Sequence, residues 1–309
     1  MDPSGSISAT LIVACAAFIG CQRGAPEPGL IAPASDAGTS RGASGVERPT
    51  SAPNALIIPS ASVDAVVNPG KLPLYQGPTG SLEGTVFLQG PEAPLVPQLD
   101  THTCPAAIDT YGKLFRTGPP SADHLRPLAD ALVAVTGYVG YFIPDRSAAE
   151  QVTIGANCGY STRAIAMTFG QRLEIANEST IPFAPTLQGA FQPAVMIVPP
   201  GGHGAPVKIY PPKTGYFALG DTMQPFVHED VFVLRQPFHA VTDLNGHYRI
   251  DGVPIGTLKV SALLAPIGAS VDRDITIRAN VVETADLVLT YTPSDAGAAR
   301  VTSRPNFIP

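Results

Sequence analysis

The chain has 309 residues, of which only 14% are charged, and it contains 33 prolines, 30 glycines and no tryptophan. So many turn-forming residues with few helix-forming runs are typical of an all-β protein with long connections. The net charge of −6 and the lack of any basic cluster in the sequence argue against a nucleic-acid-binding surface. The length leaves room for one to three domains.

The chain begins with an apolar run over residues 7–19, which has the length of a signal peptide and is short for a membrane span. Phe18-Ile-Gly-Cys21 then resembles a lipoprotein cleavage box, with Cys21 as the lipidated residue. No Lys or Arg precedes the run, and Phe18 stands where Leu is usual, so an ordinary signal peptide or a misassigned start are alternatives. We expect residues 1–21 to be a signal peptide with a lipobox. The protein is then in the bacterial cell envelope, lipid-anchored to the outer membrane or periplasmic.

Four cysteines occur in the sequence, and Cys15 and Cys21 belong to the predicted export segment. Cys104 and Cys158 are left for the folded part, and in an exported protein such a pair favours a disulfide. The bridge would close a loop of about 50 residues and stabilise the fold by ~4 kcal/mol in the chain-entropy model. Two free buried thiols are the alternative.

Residues 22–78 are rich in Ala, Pro, Ser and Gly without a sustained apolar period, which predicts a flexible linker. From Gly80 onward, apolar and polar residues alternate in short runs that predict strands. A tight turn is predicted at Asp243-Leu-Asn-Gly246, between strands at 238–242 and 247–250. Residues 293–309 are predicted to be a disordered tail. The other predicted strands are 82–88, 131–136, 151–154, 231–234, 258–263, 274–278 and 285–290.

Two motifs near the C-terminal end carry a resemblance: Thr242-Asp-Leu-Asn-Gly-His-Tyr248 and Val253-Pro-Ile-Gly-Thr257. Together with Gly84-Thr-Val86 and the strand starting at Ala131, they resemble a carboxypeptidase-regulatory-like (transthyretin-type) β-sandwich. The resemblance implies a non-catalytic sandwich built from residues 79–145 and 237–292.

The central part contains a second set of motifs: Cys104, Cys158-Gly-Tyr160, a strand that ends at Asn177, and Pro199-Pro-Gly-Gly202. In this order they resemble the plastocyanin-like, or cupredoxin, proteins of the methylamine-utilisation type. The resemblance implies a cupredoxin-like unit over residues 146–236, inserted in or fused to the other sandwich. We therefore expect an all-β fold of antiparallel β-sandwiches.

A copper site of this type uses two imidazoles, a thiolate and a weak axial thioether. Aligning the family's ligand positions places Phe183 at the first His, Asp221 at the Cys, Gln224 at the second His and Val227 at the Met. The resemblance thus implies a copper scaffold whose ligands are lost, without metal or other cofactor. As an alternative, His203 or His228 could rebuild a displaced copper or zinc site.

No nucleophile motif, His-Glu-x-x-His pair or phosphate-binding loop occurs in the sequence, so we expect no enzyme. We expect a binding or scaffold module for a protein partner in the cell envelope, with membrane contact through the lipid anchor alone. The predicted docking face is the former copper end, where Phe183, Pro185, Met223, Pro225 and Phe226 form an apolar set. The alternatives are a periplasmic copper-binding or electron-transfer protein with displaced ligands, and a carbohydrate- or peptidoglycan-binding module.

Overall fold

The computed structural model describes residues 58–145, 147–190, 195–202 and 204–293, which all belong to one compact unit. The predicted signal peptide and lipobox with Cys21, residues 22–57 of the predicted linker, His203 and residues 294–309 lie outside the described residues. Within the described ranges, no helix is long and apolar enough to cross a membrane.

The described chain is mostly β-strand, which confirms the all-β prediction. Two short helices, α1 (Ser60–Val67) and α2 (Ile108–Tyr111), and two 3-10 turns, Pro105–Ala107 and Ala265–Ile267, accompany the strands. The strands in chain order are β1 (Thr79–Gln89), β2 (Leu125–Pro127), β3 (Leu132–Thr136), β4 (Ala149–Ile154), β5 (Ala164–Thr168), β6 (Arg172–Asn177), β7 (Pro185–Leu187), β8 (Val207–Ile209), β9 (Gly215–Asp221), β10 (His228–Leu234), β11 (His239–Val241), β12 (His247–Pro254), β13 (Gly256–Leu264), β14 (Ala269–Ile277), β15 (Val282–Thr284) and β16 (Leu287–Thr290).

These strands form four sheets. In sheet 1, β1 pairs with β2, β12, β15 and β16, and sheet 2 has the order β11-β3-β13-β14. Sheet 3 has the order β5-β10-β9-β7, and sheet 4 the order β4-β6-β8. Most neighbouring strands pair antiparallel, as expected, and four pairs run parallel: β1 with β15, β1 with β16, β5 with β10 and β4 with β6. Parallel neighbours need long crossovers, and the chain supplies one between β4 and β6 by passing through β5 in the opposite sheet.

The four sheets are stacked in layers, with a hydrophobic core between each neighbouring pair. The first core joins sheets 1 and 2, and the second joins sheets 3 and 4. A smaller third core joins sheets 2 and 3 through Leu132 and Leu263 on one side and Ala166, Phe232 and Leu234 on the other. Strands of the two inner sheets therefore bury both faces, which explains why 131–136 and 231–234 are nearly continuous apolar runs.

The segment predicted as a flexible linker contains helix α1. Its Val63, Val66 and Val67 are partly buried against the second core, and Gly170 lets the helix approach closely. A Cβ added at Gly170 would lie 2.6 Å from Val63 Cγ1. Burial of this valine stripe stabilises a short helix that the Ala-, Pro- and Ser-rich composition alone does not favour.

The predicted turn at Asp243 is present, with Gly246 at a φ of 77° and the Asp243 N–H donating to the carbonyl of His247. It does not close a two-stranded hairpin, however. The strand before it, β11, pairs with β3 in sheet 2, whereas the strand after it, β12, pairs with β1 in sheet 1. The turn thus carries the chain across the first core.

Candidate functional site

The four positions aligned with copper ligands lie together at one end of sheet 3. Phe183 lies in the loop 178–184 between β6 and β7, and Asp221 is the last residue of β9. Gln224 and Val227 lie in the loop 222–227 between β9 and β10. The carboxylate of Asp221 accepts the N–H of Ala184 at 2.6 Å, and the Gln224 amide donates to the carbonyl of Pro182 at 2.9 Å. The alignment therefore selected residues that are neighbours in space.

The two polar side chains of this set, Asp221 and Gln224, already form hydrogen bonds within the protein. The other oxygen of Asp221 accepts the N–H groups of Met223 at 2.8 Å and Gln224 at 2.9 Å. Burial raises the pKa of the Asp221 carboxyl, although these backbone hydrogen bonds act in the opposite direction. The Gln224 Oε1 atom accepts the hydroxyl of Thr103 at 2.7 Å, which leaves the amide fixed at both ends.

Phe183 and Val227 complete the set and offer no electron pair to a metal. Both are buried, Phe183 completely, and both pack in the second core. Copper in such a site needs imidazole nitrogen and sulfur ligands. The residues present do not fit copper.

The proposed substitute ligands give no closer fit within the described residues. His228 is exposed at the start of β10, and His203 lies outside the described ranges. Across 58–145, 147–190, 195–202 and 204–293, no group of three or more His, Cys, Asp or Glu side chains is arranged to hold a metal ion.

The predicted docking face needs correction, because its aromatic residues point inward. Phe183 is 0% and Phe226 3% exposed, and Pro185 is also buried. Their rings close the end of the second core, with the Phe183 and Phe226 centroids 6.4 Å apart. Met223, which is 43% exposed, and Pro225 are the members of the predicted set that reach the surface. Period-2 alternation cannot orient side chains in loops, so the sequence could not distinguish the two groups.

Other exposed apolar residues lie beside this end. Val195 is 73% and Ile197 58% exposed, and the next residue, Val198, exchanges backbone hydrogen bonds with Phe183. We call Val195, Ile197, Met223 and Pro225 the apolar end surface. Exposed apolar groups of this kind are typical of interaction sites when they cluster.

The predicted disulfide between Cys104 and Cys158 is confirmed. It fixes the segment 105–111 against the second core, where Ala107 and Tyr111 are buried. The sequence resemblance places this segment in the sandwich of 79–145 and 237–292. In the structure it packs against the second core instead, because the disulfide joins Cys104 to Cys158.

A buried polar network beneath the end surface was missed by the sequence analysis. Glu229 is 0% exposed, and the Tyr111 hydroxyl donates to its Oε1 at 2.5 Å. Burial raises the pKa of the Glu229 carboxyl well above its ordinary value, opposed by the charge of Arg163. Glu229 shares a face of β10 with Val231 and Val233, which lie in the second core. An acidic residue in phase with the inward positions of an apolar strand was the available signal.

Tyr160 has a buried hydroxyl without a hydrogen-bond partner among the described residues. We expect Tyr160→Phe to raise the free energy of unfolding by about 1 kcal/mol, because the variant no longer buries an unsatisfied hydroxyl. Urea denaturation measures the change. The matched control is Tyr248→Phe, which removes a buried hydroxyl that donates to the Ala285 carbonyl at 2.5 Å and should lose about 1 kcal/mol. Equal losses in both variants would contradict the assignment for Tyr160.

Comparisons with known proteins give partial likenesses. No family model matches the chain, and no curated protein matches it. A reduced mutant of amicyanin is 22% identical over 29% of this chain and 85% of its own, with a TM-score of 0.24. A copper-containing nitrite reductase from Thermus scotoductus is 16% identical over 32% of this chain and 25% of its own, with a TM-score of 0.23.

A protein from Pseudomonas aeruginosa that has been proposed to bind carbohydrate covers more of the chain. It is 12% identical over 75% of this chain and 97% of its own, with a TM-score of 0.23. The likeness to amicyanin is weak and covers a small part of the chain. At these scores, none of the three assigns a ligand or an activity to this chain.

Proposed function

We propose that this protein is an exported, lipid-anchored, non-catalytic binding module for a protein of the bacterial cell envelope. One observation carries the proposal. At the end of sheet 3, the polar side chains of Asp221 and Gln224 are consumed by internal hydrogen bonds, while Ile197 and Met223 beside them are exposed. Such an end can bury apolar area against a partner, which favours association.

This arrangement of side chains argues most directly against a copper site for electron transfer. Phe183 and Val227 have no donor atoms, and the Asp221 oxygens already accept three N–H groups. We therefore propose that this end of sheet 3 holds no copper.

Metal analysis and a visible absorption spectrum of the full chain, with and without added copper, test this part. We expect no stoichiometric copper and no charge-transfer band. Stoichiometric copper that is lost in His203→Ala or His228→Ala would establish the displaced site and overturn the proposal.

Site-specific photocrosslinking in the native host tests the contact surface. A photoreactive residue at 197 or 223 is expected to crosslink one envelope protein. The same residue at Val139, which is 81% exposed and lies on a different loop, is the control and should not crosslink it. With the photoreactive residue at position 225, the double substitution Ile197→Asp and Met223→Asp should abolish the crosslink. Identical products from all positions, or none from 197 and 223, would contradict the proposed surface.

The lipid anchor has its own test, because it does not depend on the contact surface. Cys21→Ser is expected to release the protein from the membrane fraction and to abolish incorporation of labelled palmitate. Unchanged membrane retention with no label in the natural protein would show that Cys21 is not lipidated.

A further inference from the structure

A cleft of about 360 Å³ lies at the rim of the third core, where sheets 2 and 3 face each other. It is bordered by β4, β5 and β11, and each of these strands is the edge strand of its sheet. We call it the edge cleft, lined among others by Arg116, Asp130, Glu150, Ala166, His239 and Val241. Its volume is within the range of small-molecule sites, about 300–1,000 Å³.

The charged groups of the edge cleft differ in whether they have partners. Arg116 and Asp130 form a two-bonded ion pair, with distances of 2.7 and 2.6 Å. Asp243 accepts the N–H groups of Asn245 and His247 within its own turn. The half-buried Glu150 carboxylate makes no hydrogen bond or ion pair in the part of the chain that the structure describes. Glu150 is therefore the charged group of this lining that is left for a ligand.

Within residues 147–190 and the other described ranges, no Lys, Arg or His is paired with the Glu150 carboxylate. Burial, and then the charge of Asp145, raises its pKa to about 7. Burial lowers the pKa of His239 to about 4, so this imidazole is neutral at neutral pH. One of its ring nitrogens lies 3.2 Å from the Thr168 hydroxyl.

Arg172, on the neighbouring strand β6, is paired with Glu174 at 2.6 Å and not with Glu150. A bound cation would supply the charge that the protein does not.

The rest of the cleft suits a short aliphatic chain. Ala164, Ala166, Ala240, Val241 and Leu244 line it with apolar groups, and Ser161 and Thr162 add hydroxyls. We propose that the edge cleft binds a small aliphatic amine in its protonated form, with the ammonium group at Glu150 and the carbon chain along the alanines. This site is separate from the apolar end surface, and it does not depend on the function proposed above.

Calorimetric titration of the full chain with n-butylamine and putrescine tests the proposal, and n-butanol is the uncharged control of equal size. We expect a Kd of about 1 mM or tighter for an amine and no binding of butanol. Glu150→Gln should weaken amine binding at least about tenfold, which corresponds to the loss of one charged contact. The matched variant Glu92→Gln removes an exposed carboxylate elsewhere and should bind as the natural protein does.

Proton release provides a second readout. At about pH 7, Glu150 is half protonated, and a bound ammonium group holds it ionised, so about half a proton should leave per amine bound. The heats measured in buffers of different ionisation enthalpy give this number. No binding of either amine, equal binding by Glu150→Gln, or binding without proton release would each overturn the proposal.

Glu150→Gln should also change how stability depends on pH, which shows that the variant is folded. Because the folded-state pKa of Glu150 is raised from 4.5 to about 7, its stabilising contribution is complete below pH 4.5 and is lost as the pH rises to about 7. At about pH 8, the variant should therefore melt higher than the natural protein, by about 2–4 °C. The shift should disappear below pH 4.5. The opposite sign at alkaline pH would show that the carboxylate has a partner.

Discussion

Replacing Phe183 with Ala is expected to lower the free energy of unfolding by about 3–5 kcal/mol. The ring is 0% exposed and closes the second core against Phe226, while the backbone of Phe183 is bonded to Val198. Truncation removes buried apolar area and leaves a cavity that two bonded loops cannot easily fill. Urea denaturation measures the loss.

Met223→Ala is the matched control at the same end of sheet 3. The Met223 side chain is 43% exposed, so its truncation should lower the free energy of unfolding by no more than about 0.5–1 kcal/mol. The pair of variants also separates the two interpretations of this end. If Phe183→Ala cost no more than Met223→Ala, the ring would lie at the surface, as the docking prediction from the sequence required.

The apolar alternation in the sequence is sufficient to predict many of the strands. Alternation placed Leu82, Val86 and Leu88 on one face of β1, and all three lie in the first core. The sequence does not predict which strands pair, because pairing depends on contacts between residues that are distant in the chain. The continuous apolar runs at 131–136 and 231–234 indicated burial on both faces, but not that sheets 2 and 3 would meet through them.

The alignment selected positions that lie close together, but it did not predict the orientation of their side chains. The alignment brought Asp221 and Gln224 to one end, where the structure has them bonded to neighbouring loops. It could not show that their oxygens are consumed by local N–H groups, because such bonds depend on loop geometry. Glu229 was missed for a related reason. Its partner Tyr111 is 118 residues away in the sequence, and the disulfide-bridged segment brings the two together.

Removal of the disulfide by Cys104→Ala with Cys158→Ala is expected to lower the free energy of unfolding by about 4 kcal/mol. The cysteines are 54 residues apart, so the bridge removes many conformations from the unfolded chain. Urea denaturation of the double variant measures the loss, and the natural protein under reducing conditions should lose a similar amount. A loss below about 1 kcal/mol would contradict a closed-loop contribution.

The same variant shows whether the bridge also holds the buried network in place. Tyr111→Phe leaves the buried Glu229 without its hydroxyl donor, so in the natural background it should cost about 1–3 kcal/mol. If the bridge acts only on the unfolded chain, Tyr111→Phe costs the same in the disulfide-free background, and the two effects add. If the segment 105–111 separates from the second core without the bridge, the Tyr111 substitution costs little there. We expect additivity, because Ala107 and Tyr111 are both buried in that core.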